Sequence, residues 1–86
     1  MSISKRVVIT NSQGLHARPA SELVEAMKAF NASVTISVGE KSASSSSIMS
    51  LLALGAAAGS EANVTVEGPD KEAALTVAIA ILGSEG

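Results

Sequence analysis

The chain has 86 residues, of which 47% are hydrophobic and 1% aromatic; its formal net charge is −2 and it contains no cysteine. That length predicts one small domain, residues 1–86, with a modest core of Ala, Val, Ile, Leu and Met around the single aromatic, Phe30. Disulfides and thiol chemistry are excluded, the acidic balance without basic clusters argues against a nucleic-acid partner, and no apolar run is long enough to insert in a membrane.

Ile3 to Thr10 reads as a strand, with Ile3, Val7 and Ile9 on one face and Lys5 as an edge exception. Asn11-Ser12-Gln13-Gly14 then reads as a turn, and residues 11 to 15 as the loop that delivers His16. From Ala17 to about Phe30 apolar residues recur at Ala20, Leu23, Val24, Met27 and Phe30, the spacing of a helix with one buried face. Glu22, Glu25 and Lys28 fall on the other side, and Asn31 is a plausible stop.

Ser33 to Val38 alternates, with Val34, Ile36 and Val38 facing inward and Thr35 and Ser37 outward, as in a strand with one wet face. Gly39-Glu40 reads as a two-residue type II′ hairpin into a short strand from Lys41 to about Ser44. Ser47 is placed to cap a helix of about two turns over Ile48 to Leu54. Ala62 to Glu67 alternates again, with Val64 and Val66 inward. Gly68-Pro69-Asp70 opens a final helix with Pro69 near its first position, a buried face of Ala74, Leu75, Ala78, Ile79 and Leu82, and Gly83 at its end. The order βαββαβα predicts an α+β fold: a four-stranded antiparallel sheet with three helices on one face.

His16 is the only histidine. Pro19 suits the first turn of a helix, so the spacing puts His16 at or next to the N-cap and Arg18 just inside. A helix start presents unpaired N–H groups and a partial positive charge, which suit phosphate oxygens and disfavour imidazolium. Arg18 adds a planar, permanently charged donor. Together they make a site for a phosphorylated histidine, with a capping or surface histidine as the plainer reading. The later helix is too apolar for its length: of the arcs holding Ile48, Met49 and Leu52 and holding Leu51 and Leu54, one must be core. The other is either core as well or an exposed docking patch.

Gly14-Leu15-His16-Ala17-Arg18-Pro19-Ala20 resembles the active-site motif of HPr, the histidine-containing phosphocarrier family of the bacterial sugar phosphotransferase system. Lys41-Ser42-Ala43-Ser44 and Ser47-Ile48-Met49 through Leu54-Gly55 fall at the same family's spacing, so the likeness covers essentially the whole chain. The resemblance implies an open-faced sandwich and a cytoplasmic carrier with no turnover chemistry of its own. His16 would accept a phosphoryl group at Nδ1 from enzyme I and donate it to enzyme IIA domains. Arg18 and the N–H near Ala17 would hold the phosphate, and Ala17, Ala20, Ile48, Met49 and Leu52 would contact the partners. Ser47 matches the serine modified in many Gram-positive members by a dedicated ATP-dependent kinase, so a serine kinase/phosphorylase is a further partner. Ser46 and Ser50 depart from the residues common beside that target. The Gly39-Glu40 turn departs from a frequent Asn-Gly, with no change of register expected.

A monomer is expected. The motif separates poorly a sugar-branch carrier from a paralogue of the nitrogen-related branch. A small anion-binding regulatory domain is the alternative of another class. A metal site is not expected, because one histidine and no cysteine cannot supply a usual ligand set.

Overall fold

The computed structural model describes residues 2–10 and 12–83. In chain order the elements are β1 (Ser2–Val8), α1 (Ala17–Met27), β2 (Ser33–Val38), β3 (Lys41–Ser44), α2 (Ile48–Ala53), β4 (Glu61–Glu67) and α3 (Lys71–Leu82). The strands form one antiparallel sheet in the order β1-β4-β2-β3, with the three helices on one side. β1 and β2 thus flank the last strand in sequence, so β1-α1-β2 is a crossover that leaves a slot for β4. Periodicity along the chain carries no information about that slot.

Alternation decides which face of each strand is dry. Val34 and Ile36 of β2, Ala43 of β3 and Ala62, Val64 and Val66 of β4 all point to the helices and are buried. Ile3 and Val7 share that face on β1, and Lys5 between them escapes to solvent because β1 is an edge strand. On the outer face Ser4, Thr65, Thr35 and Ser44 stand opposite one another, a hydroxyl row across all four strands, with Ser4 Oγ and Thr65 Oγ1 3.0 Å apart. An outer face of this kind needs no cover.

The helices close the core with small residues where they must come close. α3 lies over β4 and β1 and against α1, and presents Ala74, Ala78 and Leu82, all buried. α1 contributes Ala20, Leu23 and Met27, and α2, packed against α1 and β3, contributes Leu51. At the Gly39-Glu40 turn Gly39 has φ +60° while Glu40 does not enter the positive region; with Val38 paired to Lys41 this is the II′ arrangement, and the register is undisturbed.

Four expectations need correction in detail. β1 ends at Val8, not Thr10, although Ile9 remains tied in through Ile9 N–H to the Ser60 carbonyl (2.9 Å) and Gly59 N–H to the Ile9 carbonyl (2.8 Å). α1 ends at Met27, because Lys28, Ala29 and Phe30 bond back three residues, to Glu25, Ala26 and Met27, and tighten the last turn out of the α-helix. Asp70 holds the N-cap position of α3 without a side-chain capping bond, so Pro69 lies two residues before the first helical residue, Lys71. The Asp70 carboxylate accepts the Asn31 N–H at 2.7 Å and locks the turn after α1 to the start of α3. Gly83 ends α3 with φ −91°, outside the left-handed conformation of the common glycine stop.

Candidate functional site

The loop before α1 is fixed by backbone bonds. Gly14 is buried with φ +72°, and a Cβ there would lie 2.3 Å from the Ala56 carbonyl oxygen. That close approach lets Leu15 N–H donate to the same carbonyl at 2.9 Å, so the site loop is stitched to the segment that follows α2. Leu15 and Ala56 are both buried at this seam. His16 comes next and is the N-cap of α1, in an extended conformation (φ −101°, ψ −169°). Its N–H donates to the Gly14 carbonyl (3.1 Å), and its carbonyl accepts the first helical bond, from Ala20 N–H (3.1 Å).

This bonding pattern leaves a specific set of donors at the helix start. The His16 imidazole makes no capping bond, although the position normally invites one, and the side chain is half-buried. The N–H groups of Ala17 and Arg18 have no acceptor within the helix, and Pro19, buried behind them, has no N–H to offer. The imidazole therefore precedes two backbone donors that find no acceptor among the described residues, at the positive end of an eleven-residue helix, the arrangement that favours a phosphoryl group.

The Arg18 guanidinium is exposed and points along its own helix. Its Nε lies 3.6 Å from Glu22 Oε2, and the Arg18 and Glu22 side chains are 71% and 52% exposed. The expected phosphate partner is thus at the right address but occupied by a carboxylate; the i, i+4 spacing of Arg18 and Glu22 was the sequence signal for this pairing.

Of the residues expected to meet partners, Ala17 and Met49 are exposed, Met49 at 76%, Ile48 is just exposed at 37%, and Leu52 is half-buried against the core. Ala20 is corrected: it has no exposed surface, because its methyl faces the core one turn into α1, and its side chain is not available to a partner. Leu51 and Leu54 form the buried arc, which leaves Ile48 and Met49 as the outward one. Ser47 is the N-cap of α2, its Oγ accepting the Ser50 N–H at 3.2 Å, a bond typically worth about 1 kcal/mol. A concavity of about 260 Å³ lies between the C-terminal end of α1 and Ser44–Ser46, and His16 does not line it.

The chain resembles known proteins over nearly its whole length. Residues 3–83 match the family model described as the PTS HPr component phosphorylation site. The phosphocarrier protein NPr of Escherichia coli K12 is 40% identical over 85 residues, 98% of this chain and 94% of that protein. The phosphocarrier protein HPr of Vibrio cholerae is 38% identical over 78 residues, 91% of this chain and 92% of that one. Among solved structures, HPr of Bacillus anthracis superposes with a TM-score of 0.89 at 34% identity, covering 94% of this chain and 96% of its own. On a likeness of that extent in sequence and in fold, the chain belongs to the HPr family, the phosphocarrier components of the phosphotransferase system.

Proposed function

We propose that the protein accepts a phosphoryl group on His16 from phospho-enzyme I and donates it to enzyme IIA domains. The observation that carries this reading is the uncapped imidazole of His16 beside the free N–H groups of Ala17 and Arg18 at the start of α1. On charging, the bond from phosphorus to enzyme I breaks with its electron pair returning to enzyme I, while a ring nitrogen of His16 supplies the pair for the new bond. On discharge the nitrogen–phosphorus bond breaks with its pair returning to that ring nitrogen, and the acceptor group of enzyme IIA supplies the pair for the new bond. The negative charge spread over the equatorial oxygens then faces the two backbone donors and, once it turns, the Arg18 guanidinium. Exposed Ile48 and Met49, with Ala17 and the outer edge of Leu52, form the docking surface. Such a surface is small and apolar with a serine rim, and supports transient association. The reading carries with it a single domain acting as a monomer in the cytoplasm.

The test is a relay. Phosphoenolpyruvate, Mg²⁺ and enzyme I should charge the protein, and addition of an enzyme IIA should discharge it. Failure of every enzyme I to charge it would leave the anion-binding regulatory reading in its place. The similarity to NPr favours a second reading within the relay, a carrier of the nitrogen-related branch. Parallel assays with the enzyme I of each branch separate the two by rate.

Ser47 is proposed as a regulatory site for a serine kinase. A phosphate on a helix N-cap is favoured by its own helix, yet adds about −1.5 to −2 charge next to Ile48 and Met49. Ser47→Asp, which keeps a good N-cap residue, is expected to leave the melting temperature within a few degrees of wild type. It should slow charging by enzyme I several-fold; equal rates would contradict the proposal.

A further inference from the structure

We propose that Glu22 is a positioning residue that holds Arg18 away from His16 in the uncharged carrier and so sets how firmly the phosphoryl group is kept; this rests on the carrier reading above. Among the described residues the ion-pair partner of Arg18 is Glu22, one turn on along α1, at 3.6 Å. Arg18 and Glu22 lie on the same exposed helix face. The Nε contact with Glu22 draws the guanidinium toward the second turn of α1, whereas a phosphate on His16 lies before the first. Phosphorylation of His16 therefore sets two anions in competition for Arg18, and the Glu22 contact loosens as the phosphate is engaged.

The consequence follows from the charges. Whatever Glu22 contributes to holding Arg18 is subtracted from what Arg18 contributes to holding the phosphoryl group. A carrier needs that subtraction, because a phosphoryl group held too well is not passed on. The next acidic residue on this face, Glu25, is engaged by Lys28 at 2.8 Å and does not compete for Arg18. An exposed i, i+4 pair is worth little in absolute terms, so the effect is one of tuning, about two- to fivefold.

Glu22→Gln keeps the size and hydrogen-bonding capacity of the side chain and removes its charge. The protein is phosphorylated on His16 with phosphoramidate, a small donor that needs no partner protein, and loss of the phosphohistidine signal is followed by ³¹P NMR. Cleavage breaks the nitrogen–phosphorus bond and forms a bond from phosphorus to a water oxygen. A guanidinium engaged on the phosphoryl oxygens opposes loss of their charge, so Glu22→Gln should slow the decay about two- to fivefold. In an Arg18→Ala background the same change should have no effect, which separates an action through Arg18 from plain repulsion between Glu22 and the phosphate. The Arg18 Nε–H resonance of the uncharged protein should also shift on Glu22→Gln. Unchanged or faster decay, or an effect that survives loss of Arg18, overturns the proposal. The carrier reading fails separately, when phosphoramidate labels His16 but phospho-enzyme I does not.

Discussion

Replacing Gly14 with alanine is expected to lower stability by about 2–5 kcal/mol and to cost the site its geometry at the same time. The residue sits at φ +72°, where an L side chain is strained, and its Cβ would be 2.3 Å from the Ala56 carbonyl oxygen. Backbone on both sides of the contact leaves no flexible side chain to give way. Relief requires Gly14 and Leu15 to move off the segment after α2, which breaks the Leu15 N–H to Ala56 carbonyl bond at a buried seam. For a domain of this size the loss corresponds to a drop in melting temperature on the order of 10–20 °C, read by calorimetry. Where the variant remains folded, His16 loses the Gly14 carbonyl that holds its N–H, and charging should fall with it. Gly39, whose positive φ has open space around it, tests the clash. Its alanine variant should lose only the backbone part, about 1–2 kcal/mol.

Met49→Asp should have the opposite profile. Met49 is 76% exposed at the second position of α2, where an acidic residue is welcome, so stability should change by less than about 0.5 kcal/mol. A charge placed in the apolar centre of the docking surface must be desolvated when a partner binds. We expect kcat/KM for charging by enzyme I to fall about tenfold or more, the scale of a lost interface anchor. The contrasting change is Leu51→Ala, two residues on and wholly buried, which should unfold the core by about 2–5 kcal/mol. A Met49→Asp protein that charges at the wild-type rate would remove Met49 from the interface.

What the sequence revealed follows from which interactions are local. β2 could be delimited residue by residue, because Val34, Ile36 and Val38 alternate with polar residues and the chain turns at Gly39. Ser47 could be recognised as a cap, because the bond it makes reaches only to Ser50. The apolar spacing runs three residues past the end of α1: Phe30 keeps the helical spacing and still packs on the core, although the hydrogen bonding has shifted to the tighter turn. The family resemblance puts Ala20 on the docking surface, whereas helix geometry turns it inward between exposed Ala17 and half-buried Val24. The pairings of β4 join Ser37 to Asn63 and Ser2 to Glu67, and the Gly14–Ala56 contact is as distant along the chain, so no pattern within a window reports them. The candidate site was legible at His16 because a lone histidine before an Arg-Pro helix start is a local feature. The hold of Glu22 on Arg18, equally local, was hidden in what looks like an ordinary solvated helix face.

Intact mass after incubation with enzyme I, Mg²⁺ and phosphoenolpyruvate tests whether His16 carries the phosphoryl group. One phosphoryl group should be added per chain, lost on brief acid treatment and absent from His16→Ala. A mass gain that resists acid or persists in His16→Ala would place the group on another residue and remove His16 as the carrier.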